Sequence, residues 1–392
     1  MGSRSAPSRL LSVLAAGALA GVSVLLALGA AEAALRLFPS LIPPGVYGTG
    51  RFDPALGMHV RGGDVLYTRE GVVRKTPNAD GFLDVVHAEA KPPGTRRVGF
   101  FGDSYVESNQ VATEVTFFRE LPALLPPPPV ETLAFGLSGW GTLQAFRAFS
   151  VYARRYDLDT AVYVFVENDP GDNSFALSAQ RHDAVMPYAE LADTAPGYRV
   201  IEGEPPARAA WLRAAKWLQE RSLLAQVLWV RLRLLQQEGV RPGTRDEERE
   251  MTEAAPRGEG ELPDPNDLPS TWLPEERDAV LRLAERILAD WKGSADAARI
   301  PLAVLYVPRG NEMLSGTIPE ANTWLPWLRE TCAKLGLPLL DPRAALRARL
   351  DAGEPPFSDH LTHVGHDTLA RFLAAELPPL LEPHRHADPR LE

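Results

Sequence analysis

The chain has 392 residues, enough for one large domain or two modest ones with a sizeable core. Hydrophobic residues make up 45% and charged residues 23%, which excludes a chain disordered throughout, and a net charge of −10 leaves no positive footprint for gripping nucleic acid. The 36 prolines gather at Pro126 to Pro129 and near Ile42 to Pro44, marking joints rather than a collagen-like repeat, and the single cysteine, Cys332, can build neither an internal disulfide nor a thiolate cluster and is expected as a small buried hydrophobe.

Leu10 to Ala31 is a stretch of 22 residues without charge, long enough at about 1.5 Å per residue to cross a ~30 Å hydrocarbon layer. Arg4 and Arg9 precede it and Glu32 begins the far flank, so the positive-inside rule puts the N-terminus in the cytoplasm and the remainder outside it. Ala31-Glu32-Ala33 also offers small residues for a cleaved signal peptide, but the apolar run exceeds the usual 7–15 residues, and an uncleaved anchor over residues 1–37 is the favoured reading. Residues 38–95 lack sustained periodicity and are rich in Gly, Pro and Asp, which predicts an irregular lead-in.

From Arg97 the texture changes. Val98 to Phe101 predicts a strand ending in Gly102-Asp103-Ser104, Thr116 to Leu125 a short helix, and Val130 to Phe135 a second strand ending in Gly136-Leu137-Ser138-Gly139. Thr142 to Tyr156 is helical in pattern, and Ala161 to Val166 is a third strand ending at Glu167-Asn168-Asp169. Residues 176–274 interrupt this alternation as an insertion. Arg208 to Glu238 predicts one helix with Trp211, Trp217, Leu224, Leu228, Trp229 and Leu232 among its apolar positions, and Arg241 to Asp267 predicts a polar surface loop. Such a stripe is more often core than an acyl-chain site or a bilayer contact. Helices near Glu275 to Trp291, Asn322 to Leu335 and Asp367 to Leu377 then alternate with strands at Pro301 to Val307 and Leu337 to Asp341. The expected fold is α/β: a flavodoxin-like three-layer sandwich with a parallel sheet over residues 96–392, preceded by a transmembrane helix.

Open parallel sheets bind ligands beyond the carboxyl ends of their strands, and Asp103-Ser104, Ser138-Gly139 and Asn168-Asp169 all fall there. A serine nucleophile needs a base, and its tetrahedral intermediate needs donors. Ser104 can supply the first, and the Gly139 N–H with the Asn168 amide the second. Alternatively Ser104 only caps the helix that follows. Three of the eight histidines lie in Asp359-His360-Leu361-Thr362-His363-Val364-Gly365-His366, open to reading as a turn, a metal site or the base; a metal would want more ligands than the adjacent Asp359.

In this order, Gly102-Asp103-Ser104, Ser138-Gly139, Asn168-Asp169 and the late Asp359-His360 resemble the four blocks of the SGNH hydrolases, also called the GDSL lipase/esterase family. Phe135 to Thr142, Phe165 to Asp169 and Asn78 to Phe82 are similar to membrane-anchored bacterial members. The resemblance covers about residues 96–175 and 295–380. It implies Ser104 as nucleophile, the Ser104 N–H, Gly139 N–H and Asn168 amide as oxyanion hole, and His360, five residues before Gly365, as base. The chain departs from the family pattern at Val166, where glycine is usual, and at Phe357 and Ser358, where the acid commonly stands, which leaves Asp359 as the candidate acid. No cofactor and no metal are expected. The implied activity is hydrolysis of a small-molecule or glycan-linked acyl ester at the outer face of the inner membrane; acyl transfer to an envelope polysaccharide, or a non-catalytic envelope binding role, are the alternatives.

Overall fold

The apolar run at the N-terminus forms one long helix. In the computed structural model, which describes residues 6–178, 185–203, 210–237, 263–267, 269–315 and 318–382, α1 (Ala6–Leu37) holds an apolar, unburied span, Ser12–Leu37. It is long and apolar enough to cross a membrane, and an N-terminal signal sequence meets the same description.

Residues 38–95 depart from the irregular expectation. They hold β1 (Val46–Tyr47), β2 (Gly50–Asp53), β3 (Met58–Arg61), β4 (Val65–Tyr67) and β5 (Val73–Lys75). These pair antiparallel as a sheet in the order β1-β4-β5 and a β2-β3 ribbon. Strands this short are too brief to show an alternation in sequence.

The α/β expectation is met. β6 (Arg96–Gly102), β7 (Val130–Gly136) and β8 (Thr160–Phe165) join β11 (Leu302–Tyr306) and β12 (Leu339–Leu340) in a parallel sheet of order β12-β11-β8-β6-β7. The inserted β9 (Tyr188–Leu191) and β10 (Tyr198–Ile201) form a separate antiparallel pair. Growth of the main sheet reverses between β6 and β8, and that switch point opens the crevice in which such sheets bind ligands. Helices α2 (Ser104–Glu107), α3 (Phe117–Leu124), α4 (Thr142–Arg155), α5 (Asp169–Asp172) and α6 (Phe175–Ser178) follow β6 to β8. After α7 (Ala210–Gln219) and α8 (Leu223–Gln237) come α9 (Pro274–Ala298), α10 (Gly310–Ser315), α11 (Leu325–Leu335), α12 (Arg343–Asp351), α13 (His363–Glu376) and α14 (Pro378–Leu381).

Two cores cover the two faces of the sheet, because consecutive strand residues point to opposite sides. Phe101 packs with Phe149, Trp291 and Leu328 of α4, α9 and α11, whereas Phe100 packs with Phe117, Leu369 and Leu373 of α3 and α13. Cys332 is buried, as expected.

The helix expected over 208–238 is divided into α7 and α8, with Ser222 capping α8 through the Ala225 N–H at 3.1 Å. The expectation of a core stripe there fails in part: Trp217, Leu228 and Leu232 are exposed. The loop expected over 241–267 lies, up to residue 262, outside the described residues.

Candidate active site

Ser104 opens α2 where β6 ends. Gly102 and Gly136 let this turn sit tightly on the strand ends: a Cβ on Gly136 would come 2.5 Å from the Val106 Cβ, and one on Gly102 2.9 Å from the Val164 carbonyl. The cap of α2 is Asp103, whose carboxylate accepts the Tyr105 N–H at 2.9 Å. Capping therefore does not engage the Ser104 hydroxyl, which lies 3.1 Å from His360 Nε2 and 3.1 Å from Asp103 Oδ2. Burial pushes the Asp103 carboxyl up to about 6.

His360 sits just before α13, whose N-cap, Thr362, accepts the Gly365 N–H. A Cβ on Gly365 would come 2.2 Å from the Pro356 carbonyl, so glycine holds this turn in place. The partner of His360 Nδ1 was expected to be Asp359, and the structure corrects this. Asp359 is 63% exposed with its nearest oxygen 3.7 Å away, while Glu70 Oε1 stands at 2.8 Å with only 5% of its side chain exposed. Glu70 comes from the lead-in, 290 positions away in the sequence.

Five donors converge on the Glu70 carboxylate. They are His360 Nδ1, the Asp359 N–H at 3.2 Å, the His360 N–H at 2.9 Å, and the hydroxyls of Tyr67 and Ser358. Burial alone would raise its pKa, but the hydrogen bonds from His360, Ser358 and Tyr67 outweigh it and hold Glu70 well below the usual carboxylate range. Burial likewise pulls the His360 imidazole down, and the bond to Glu70 and its charge overcome that and raise it above its ordinary 6.5. An ionised acceptor fixes the proton on Nδ1 and leaves the Nε2 lone pair facing Ser104. Ser358 stands at one of the positions where the family resemblance would have put an acid, and it serves here as a donor to the acid that came from elsewhere.

Glu70, Asp359 and His360 offer three metal-type ligand atoms within 4.8 Å of one another. The donor set fits a hydrogen-bonded carboxylate rather than a cation, because four N–H or O–H groups besides the imidazole already point at the Glu70 oxygens.

Gly139 has a φ of +80°, a conformation that favours glycine and turns the chain after β7. Its loop is fixed by buried Glu107, which accepts the Ser138 N–H at 3.0 Å and the Asn109 amide at 2.6 Å and is paired with Arg61 of β3. The Asn168 amide donates to Asp172 at 2.7 Å and reaches Asp103 Oδ2 at 3.5 Å, which brings it beside Ser104. Lys75 of β5, buried and thereby lowered to about 8, donates to the Ser108 carbonyl at 2.9 Å and closes the end of α2. The structure thus brings together Ser104, His360 and, through Asp103, Asn168, leaves Asp359 exposed beside them, places Gly139 on the neighbouring turn after β7, and adds Glu70, Arg61, Glu107 and Lys75. Of His363 and His366, the first is exposed on α13. The second is buried, accepts the Phe117 N–H through Nδ1, and is lowered to about 3 by burial.

No family model matches the chain, and no curated protein does either. Solved structures resemble it distantly. A lipase/acylhydrolase from Enterococcus faecalis is 12% identical with a TM-score of 0.37, covering 74% of this chain and 98% of its own. A member of the lipolytic G-D-S-L family from Veillonella parvula is 10% identical with a TM-score of 0.36, covering 72% and 97%. A catalytic mutant of an acetylxylan esterase from Geobacillus stearothermophilus is 13% identical with a TM-score of 0.36, covering 72% and 94%. The chemistry of the site rests on its own geometry.

Proposed function

We propose that the chain is a serine-dependent ester hydrolase of the SGNH type that works through an acyl-enzyme on Ser104. The observation that carries this reading is the hydrogen-bonded series from Ser104 Oγ to His360 Nε2 at 3.1 Å and from His360 Nδ1 to buried Glu70 at 2.8 Å. Ser104 Oγ attacks the ester carbonyl carbon as its proton passes to His360 Nε2. Glu70 stabilises the imidazolium, and the oxyanion is held by the Ser104 N–H, the Gly139 N–H and the Asn168 amide. The intermediate collapses as the imidazolium returns the proton to the leaving alkoxide. Water, deprotonated by the same imidazole, then attacks the acyl-serine and frees the acid. Asp359 has no part in this scheme.

In the same reading α1 is an uncleaved signal anchor and the catalytic domain faces the periplasm, supported by Arg4 and Arg9 before the apolar run and by its length. Alkaline phosphatase fused after Gly45 is then active; activity only of a cytoplasmic reporter at that junction refutes the orientation. For the chemistry, a fluorophosphonate probe labels the wild-type chain and spares Ser104→Ala, and equal labelling of both refutes the nucleophile. Turnover of short acyl esters with and without a glycan acceptor separates hydrolysis from acyl transfer.

A further inference from the structure

Four large apolar side chains on α7 and α8 are left uncovered among the described residues. Trp217 and Leu218 on α7 and Leu228 and Leu232 on α8 are 56%, 49%, 57% and 54% exposed. On α8 the buried side is already used: Leu223, Val227 and Val230 pack on Leu35, Ile42, Tyr47 and Leu66. At 100° per residue Leu228 and Leu232 fall on the opposite side, so α8 is apolar on both its covered and its open face.

What covers the open face follows from where α8 is fastened. The Glu32 carboxylate of α1 accepts the Leu223 N–H at 3.0 Å, the Leu224 N–H at 2.8 Å and the Ser222 hydroxyl at 2.9 Å, holding the α8 N-terminus in the manner of a cap. Arg36 of α1 also donates to the Arg221 carbonyl. Glu32 is the first charge after the uncharged run, so α8 is tied to α1 where that helix leaves the hydrocarbon. Leu37, Phe38 and Leu41 are exposed beside this junction. The Arg221 guanidinium lies 4.6 Å from the centroid of the Trp217 ring, an aromatic and cationic pairing suited to a headgroup layer. Exposed Arg231 supplies positive charge for anionic lipid, beside Arg36 and Arg221, which are paired with Glu32 and Glu220.

We infer that the α7–α8 segment lies in the headgroup layer of the membrane that α1 enters, with Trp217, Leu218, Leu228 and Leu232 immersed at the edge of the acyl chains. The inference rests on reading α1 as an anchor. A single spanning helix leaves a body free to tilt; a second contact at the surface fixes its orientation.

The full-length chain, reconstituted in vesicles of phosphatidylcholine with a minority of phosphatidylglycerol, tests this with an environment-sensitive fluorophore on Leu228→Cys or, independently, on Leu218→Cys. Cys332 does not compete, being buried with its thiol pushed up to about 12. Leu19→Cys in the span reports the anchor separately. The expected result is loss of fluorescence at Leu228→Cys and Leu218→Cys with lipids carrying a nitroxide near the headgroup, since such helices sit roughly 5–10 Å deep. Leu19→Cys should respond to a nitroxide at the chain end. If Leu19→Cys is quenched while the other two stay in water, the docking is overturned and the anchor stands. If Leu19→Cys is not quenched, the anchor fails and the docking with it. A blue-shifted signal on α7 and α8 that no nitroxide lipid quenches means protein covers the face, and this too overturns the inference.

Discussion

The parallel sheet holds its part of the site through apolar packing, whereas residues 38–95 combine a share of the same core with charged contacts to the site. Ser104, Gly139 and Asn168 stand on turns that follow strands buried on both faces, so their positions are set by the whole core. The lead-in attaches through Arg61 on Glu107, Lys75 on the end of α2, and Asp80 on Arg155 and Tyr156. Leu56, Met58, Val60 and Phe82 also enter the core, with Phe82 packing edge-on against Phe135, Trp140 and Tyr152. Core packing tolerates many apolar sequences; a buried ion pair fails when one partner is lost. The charged contacts of the lead-in, rather than its apolar ones, are therefore its most sensitive points.

The largest effect expected is on the sheet side. Ser104→Ala should lower ester turnover on the order of 10⁶-fold with little change in thermal midpoint, because Asp103 and not Ser104 caps α2. Measuring kcat beside a melting curve separates the two readings; a fall in midpoint with turnover intact would return Ser104 to a structural role.

Glu70→Gln tests the lead-in side and should cost about 10³–10⁴-fold in kcat. It should also change the pH profile. His360 acts as a base only when neutral, and Glu70 raises its pKa above 6.5, so wild-type activity rises with pH through that raised value. Without the Glu70 charge the imidazole pKa falls, and the acidic limb of kcat/KM should move to lower pH while the plateau drops. A lowered plateau with an unmoved limb would mean that Glu70 merely supports the fold.

Asn168→Ala should lower kcat by about 10²–10³-fold, the loss of one oxyanion donor. The smallest effect belongs to Asp359→Asn, for which steady-state assays should find turnover near that of wild type, since Asp359 is exposed and Glu70 occupies the hydrogen-bonding place at Nδ1. A loss there comparable to that of Glu70→Gln would restore Asp359 as the orienting acid.

The sheet half of the site was readable in the sequence because strand ends are marked by local chemistry. Gly102-Asp103-Ser104, Ser138-Gly139 and Asn168-Asp169 each close an apolar run, and a parallel sheet brings such ends together whatever their separation. Nothing local marks Glu70. It is one of 51 acidic residues, in a stretch whose strands are two to four residues long, and it meets a histidine 290 positions away. Only the family's missing acid at Phe357 and Ser358 hinted that a carboxylate had to come from elsewhere. The break between α7 and α8 carries one local mark, the capping Ser222, but the carboxylate that also holds it, Glu32, lies in α1. The exposure of Trp217, Leu228 and Leu232 was hidden as well, since an apolar stripe has the same pattern whether protein or lipid covers it.

The placement of Glu70 sets the smallest piece of the chain that can be inherited or transplanted as a working unit. A recombination that exchanged only residues 96–392 would carry Ser104 and His360 to a new host and leave Glu70 behind. Arg61 and Lys75 would be lost with it, so Glu107 would keep its bonds to Ser138 and Asn109 but lose its ion pair. Any exchange that keeps the hydrogen-bonded series Ser104–His360–Glu70 intact has to take residues 38–95 along.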